Sequence, residues 1–514
     1  MPFHQNISLI QFIKPYIYRH GFVKLLLMMT ITFISCTSTS KSYHPEKKYD
    51  PQSLRADYRL MQKVLESKHP SLYWYTSKDS MDVYFDYYYN KIQDSMTERD
   101  FVWHVAAPMI NKIHCGHTGI ATSKNYDRWS KNKQFSFFPL SLKVWNDTMA
   151  VIGNMNRHDS IFKRGTLVAA INDMGAHDLI AHMLGYLRED GYAHNVNYIR
   201  ISGSFPLLHR NIFGLSDRYK INYIDSTGHP AETYLPLYRP EKDSIKKDEV
   251  HKKTSTLVPA VKSITLKRSL TIDSTGMYAR MSLNTFAGGR LRSFFRKSFK
   301  QLKNKQIQQL IIDLRSNGGG DVNTCILLTK YISDTSFRIS DSCYALTRSL
   351  HPYTSMFSGK WFNQLQSWAM TTRHKDGKYH LDVYERKFFP PKKKNHFNGK
   401  VYVLVNGPTF SASTLFTNVV KGRPNVIVVG EETGGGWYGN NGIMLPTVTL
   451  PNTKTRLRMP LFRMVQYHHG EKTGTGIIPD VIIPTDYEFV KQGRDKKLEV
   501  VKQMILNDSE RAKH

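Results

Sequence analysis

From Gly276 onward four short apolar runs, Tyr278 to Leu283, Gln309 to Leu314, Val401 to Val405 and Val426 to Val429, alternate with helical patterns. Strands separated by helices need crossovers, and crossovers pack on a mostly parallel sheet. This half of the chain therefore reads as an α/β core over 276–490, with residues 344–398 out of rhythm as an insertion and a helical tail over 491–514. A chain of 514 residues is too long for one core, so further domains are expected.

They differ in texture. Residues 53–130 read helical, with Leu54, Tyr58, Met61 and Leu65 at helical spacing, then Phe101, Val105 and Met109. Residues 131–240 carry short β-like runs, among them Met149 to Gly153 and Tyr219 to Tyr223, around the turn Arg164-Gly165-Thr166-Leu167. A charged stretch, 241–275, reads as a linker.

Composition narrows the class. The formal charge is +30 and aromatics make up 12% of residues. Lys and Arg are spread through every segment, and no helix-turn-helix, zinc-finger or RNA-binding signature accompanies them, which argues against nucleic acid as a partner. A basic surface also suits anionic membranes or glycans. Near the N-terminus Lys14, Arg19 and Lys24 precede the apolar run Leu25 to Ile34, followed by Ser35-Cys36 and Thr37-Ser38-Thr39-Ser40. A basic flank, a short apolar run and a small-residue boundary form a secretory signal, 1–36, with a Ser/Thr tether over 37–52. Phe33-Ile34-Ser35-Cys36 resembles a bacterial lipobox, so Cys36 is the expected lipid attachment. The expected location is the cell envelope, anchored to a membrane and facing the periplasm or exterior. Cys115, Cys325 and Cys343 are spaced for neither a disulfide framework nor zinc, and no metal or cofactor is expected.

Three local patterns carry chemistry. Val401 to Val405 runs into Asn406-Gly407-Pro408 and then Thr409-Phe410-Ser411-Ala412-Ser413, with a helical pattern after Ser411. A serine there is either an N-cap or a nucleophile. Ile311-Ile312-Asp313-Leu314-Arg315-Ser316-Asn317-Gly318-Gly319-Gly320 is a strand entering a glycine turn, whose exposed N–H groups suit an anion or an oxyanion. It lacks the Lys-Ser/Thr pair of a phosphate loop. The third is Asn111-Lys112-Ile113-His114-Cys115-Gly116-His117-Thr118, without a partner at metal-ligand spacing.

In this order, and with Gly430-Glu431-Glu432-Thr433-Gly434-Gly435 and Gly476-Ile477-Ile478-Pro479-Asp480 behind them, the patterns resemble the C-terminal processing (tail-specific) family of serine peptidases, which includes the tricorn core protease. The resemblance spans most of residues 53–485. It implies a ClpP/crotonase-like core, an N-terminal helical region and a PDZ-like β-rich module at 131–240. It also implies Ser411 as nucleophile and the N–H groups of Gly319 and Ala412 as the oxyanion hole.

The processing branch takes its base from a lysine closing the Gly-Glu-x-Thr-x-Gly-Lys motif, but that position holds Gly436 here. The tricorn-like branch uses an N-terminal histidine, which matches His117, with His114 as runner-up. An imidazole shuttles protons near neutrality without large tuning. Glu471 is the expected orienting acid, with Glu432 behind it. The reading is an exported serine peptidase that hydrolyses peptides or proteins through an acyl-enzyme, acting on C-terminal regions. The alternative is a non-catalytic peptide- or lipid-binding protein on the same scaffold.

Overall fold

The computed structural model describes residues 43–240, except 132 and 157, and 267–511. The expected signal segment, Cys36 and most of the expected linker lie outside these residues.

The N-terminal region is helical, as its spacing predicts. Helix α1 (Pro51–Lys68) starts at Asp50, whose side chain accepts from Ser53 N, and Pro51 opens its first turn. Leu54, Tyr58, Met61 and Leu65 all face inward and are fully buried. Residues Glu98 to Asn111 continue as helix, with a π turn at Phe101–Ala106. The chain then passes through 112–118 into a short strand, Gly119–Ala121.

Residues 140–236 build a separate antiparallel sheet in the order β1 (Leu140–Trp145), β2 (Thr148–Asn154), β3 (Leu167–Ile171), β4 (Arg218–Ile224) and β5 (Pro230–Pro236). The burial of β1 alternates strictly, as a sheet with one covered face requires. The cover is helix α2 (Asn195–Phe213), whose Ile201, Phe205 and Leu208 share a core with Phe138, Leu140 and Val168.

The second half forms a six-stranded sheet ordered β6 (Arg268–Ile272), β7 (Ala279–Leu283), β8 (Gln309–Asp313), β9 (Lys400–Val405), β10 (Val426–Gly430) and β11 (Val481–Ile482). All neighbours are parallel except β6 with β7. Strand β6 falls inside the stretch expected as linker, which thus ends before residue 275. Strand β9 reads as an unbroken apolar run because both its faces are covered. Val401, Val403 and Val405 join the main core with helix α3 (Val322–Ile332), while Tyr402 and Leu404 pack under Val501 and Ile505 of the C-terminal helix (Lys496–Arg511). The expected insertion contains a hairpin and helix α4 (Lys360–Met370).

Candidate active site

In a parallel sheet the loops leaving the carboxyl ends of adjacent strands meet at one edge, and ligands bind there. Here β8, β9 and β10 release the glycine loop, the serine loop and the segment Glu431–Gly436 side by side. Their backbones are bonded directly: Phe410 N donates to Asn317 O (3.1 Å), Gly434 N to Gly407 O (2.9 Å) and Gly435 N to Thr409 O (3.3 Å). A Cβ on Gly319 would lie 2.7 Å from Ser411 Cβ and 3.0 Å from Ala412 N, so only glycine lets the loops close.

Ser411 sits where an N-cap would, at the start of helix α5 (Ala412–Val420), but its side chain makes no capping bond. Its backbone is at φ 57°, ψ −122°, a left-handed conformation unusual for a residue with a Cβ. Such strain costs about 1–3 kcal/mol and persists where the surroundings impose it. A sharp strand-to-helix turn of this kind lifts a serine hydroxyl clear of the sheet. The capping account of Ser411 therefore does not fit its geometry.

His117 arrives from the N-terminal region. The strand after it, Gly119–Ala121, pairs antiparallel with Arg456–Arg458 and so ties the 112–118 segment to the second half. Its support is a chain of buried polar groups. His69 Nδ1 accepts from Ser71 N (3.1 Å), so its Nε2 carries the proton and donates to Thr118 Oγ1 (2.7 Å). Burial pushes the His69 pKa down to about 3, keeping it neutral. Ser71 Oγ donates to Asn441 Oδ1 (2.9 Å), and Asn441 Nδ2 to Cys115 Sγ (3.3 Å). His117 itself is 5% exposed and its ring lies 4.7 Å from that of Phe410.

A methyl group added to Gly442 would lie 2.7 Å from Ser411 Oγ and 3.0 Å from His117 Nε2. Serine and histidine thus face one small space across Gly442, although 294 residues separate them in sequence. Neither ring nitrogen of His117 has a hydrogen-bond partner among the described residues. Burial, then the charges of Arg458, Arg188 and Arg200, hold its pKa well below 6.5, so it is neutral and able to accept a proton near pH 7.

The carboxylate beside His117 is that of Asp190, which the sequence reading missed. Its Oδ1 lies 3.9 Å from Nδ1, an ion-pair distance rather than a hydrogen bond. Asp190 is 3% exposed. Burial lifts its pKa to about 7, against the lowering effect of N–H bonds from Gly116 (2.7 Å) and Gly436 (3.5 Å). Glycine matters at both positions. A Cβ on Gly116 would lie 2.5 Å from the Phe410 ring, and one on Gly436 would lie 2.8 Å from Gly439 O and 3.6 Å from Asp190 Cβ. The position that holds lysine in the processing branch is here packed against Asp190.

The other expected residues lie as follows. Glu471 is exposed and is not the acid at His117. Glu432 accepts from Gly476 N (2.6 Å) and serves the loop instead. His114 Nδ1 bonds Gly191 O (2.8 Å), and its ring lies against Tyr192. Among the described residues Ala412 N has no hydrogen-bond partner at the start of α5, whereas Gly319 N donates to Asn317 Oδ1 (2.9 Å) and is occupied in this state. Lys421, the lysine just after helix α5, is ion-paired with Asp480. Asp190 had only a weak signal, the acidic pair Glu189-Asp190 before Gly191 at the end of a helical pattern.

Residues 278–483 match the model of peptidase family S41. No curated relative matches the sequence. Among solved structures the chain is similar to mature CPAF, both complexed with lactacystin (TM-score 0.61, 15% identity, covering 89% of this chain and 99% of that chain) and without it (TM-score 0.60, 15% identity, 89% and 98%). At this identity the likeness speaks for the fold. Residues 278–483 thus form a region of peptidase family S41, and the chain is a serine-type peptidase.

Proposed function

We propose that this peptidase works through Ser411 as nucleophile, His117 as general base and Asp190 as the residue that positions and charge-balances His117. The observation that carries the reading is the uncapped, strained Ser411 with its Oγ facing neutral His117 Nε2 across Gly442. Ser411 Oγ attacks the scissile carbonyl carbon while its proton passes to Nε2. The proton then goes to the leaving amine, and water attacks the acyl-enzyme with the same base. Ionised Asp190 stabilises the imidazolium formed between these transfers. Ala412 N–H, at the positive end of α5, is the natural oxyanion donor. Gly319 N–H joins it when Asn317 releases it.

Action on carboxyl-terminal regions has its own support. Arg188 Nη1 fills the space over Gly119, and Gly119 is the strand partner of Arg458. Among the described residues neither guanidinium has an ion-pair partner, and Arg188 is the charge that lowers the Arg458 pKa after burial. Two such cations beside His117 favour a substrate carboxylate. The finer reading, then, is an exported, lipid-anchored enzyme that cleaves near a chain end.

A fluorophosphonate probe and a peptide substrate test the site together. Wild type labels and hydrolyses, Ser411→Ala does neither, and His117→Ala loses nearly as much. The double variant is hardly worse than either single one, because residues acting as one unit are not additive. A wild type inert to the probe at every pH favours the non-catalytic binding protein. A fully active His117→Ala moves the base elsewhere while sparing Ser411.

A further inference from the structure

Helix α4 leaves its apolar side uncovered. Ser367 is its one buried residue, while Trp361, Leu365 and Trp368 are 80%, 61% and 67% exposed and Phe362 is 43% exposed. Trp361, Leu365 and Trp368 follow at i, i+4 and i+7, so they form one stripe, with Phe362 at its flank. Two tryptophans in water on one helical face are not what a folded surface ordinarily leaves without a partner.

The surroundings say which partner. Residues 346–399 hold ten Lys or Arg against three Asp or Glu. Asp382 pairs with His374 (3.0 Å) and Arg386 (3.3 Å), Asp376 with His380 (3.1 Å) and Lys378 (3.6 Å), and Glu385 with His380 (2.7 Å), so eight of the ten cations have no ion pair among the described residues. Lys360, Arg373 and Lys375 flank the stripe in sequence, and Arg373 and Lys375 are exposed. The helix is also held firmly at its start, since Ser358 N donates to Thr447 O (2.8 Å) and Thr447 N to Ser358 Oγ (3.0 Å). Residues Thr447–Thr449 belong to the small sheet that carries Gly119–Ala121, next to His117.

We infer that α4 is an interfacial helix that docks this peptidase on an anionic lipid surface. Tryptophan, leucine and phenylalanine enter the headgroup boundary, and the surrounding cations meet lipid phosphates. A second copy of the chain suits the face less well, because a two-fold contact sets like patches together and here would oppose positive with positive. Docking through α4 would fix the active-site edge relative to the bilayer, independently of any anchor at the N-terminus.

The test uses residues 37–514, the chain without its signal segment and Cys36, and compares it with the same chain carrying Trp361→Ser/Trp368→Ser by co-sedimentation with mixed phosphatidylcholine–phosphatidylglycerol vesicles and with pure phosphatidylcholine vesicles. Both changed residues are largely exposed, so the fold and the hydrolysis of a soluble peptide should not move. Binding to the mixed vesicles should fall by on the order of tenfold in the variant. Quenching of wild-type tryptophan fluorescence by brominated lipid should fall with it. Equal vesicle binding by both proteins overturns the inference, as does wild-type binding that ignores phosphatidylglycerol. If wild type shows no vesicle affinity but self-associates in sedimentation equilibrium, and the variant does not, the face is an interface between copies. Activity on the soluble peptide is read separately, so failure here is distinct from failure of the Ser411 reading.

Discussion

Asp190→Asn separates two consequences of one buried carboxyl. Burial lifts that group from an ordinary 3.8 to about 7. The folded chain therefore holds the proton to higher pH than the unfolded chain does. Below about pH 4 the group costs nothing; between 4 and 7 stability falls as pH rises, and above 7 the full cost stands. Three units amount to roughly 4 kcal/mol at most. Asparagine has no charge to desolvate, and its Oδ1 can keep the Gly116 N–H now bonded at 2.7 Å. It gives up the long bond from Gly436 N, a loss of about 1 kcal/mol. The variant should thus be more stable than wild type at pH 8 by about 1–3 kcal/mol, and the advantage should vanish or reverse at pH 5. Activity moves the opposite way. Wild-type kcat/KM should rise with pH through about 7 as Asp190 ionises, although the apparent value belongs to the His117–Asp190 pair. The neutral amide cannot balance an imidazolium, so the variant should lose on the order of 10²–10⁴ in kcat along with that pH limb. Thermal unfolding at pH 5 and pH 8, run beside a peptide assay, reads both. A stability difference that is flat with pH, or an Asn variant with full activity, would refute the reasoning.

Gly442→Ala should lower kcat by about 10²-fold, since the methyl occupies the space between Ser411 Oγ and His117 Nε2; unchanged turnover in a peptide assay would show that the two do not meet there. Arg188→Gln with Arg458→Gln should erase any preference for a free-acid peptide over its C-terminal amide, mostly through KM. An undiminished preference would assign the carboxylate to other groups. Cys36→Ser should release the protein from membranes or leave its signal uncleaved, as fractionation and gel mobility would report. A variant that stays membrane-bound with wild-type mobility speaks against lipid attachment at Cys36.

Much of the core was legible in the residues alone. The apolar runs at Gln309 to Leu314, Val401 to Val405 and Val426 to Val429 mark three adjacent parallel strands, because burial on both faces leaves an unbroken hydrophobic signature in each strand. The glycines after β8 and the small residues after β9 mark where backbones must approach closely, and such a demand is written at the position itself. Ser411 and His117 were candidates through the resemblance of their motifs to a peptidase family, not through a demand that either position makes by itself.

What only the tertiary structure decided is which distant groups share a space. Glu471, near the closing motif, looked like the acid for His117, yet it points to solvent while Asp190 of the β-rich module lies at Nδ1. Nothing local distinguishes a buried aspartate from an exposed one, because its burial is made by Gly116, Phe410 and Gly436, brought together from three separate segments. The same holds for Gly442, whose importance is the absence of a side chain between two atoms. A local pattern records what each residue requires of its own backbone and neighbours in sequence, whereas pKa, charge balance and the meeting of nucleophile and base arise from the packing of elements far apart in the chain.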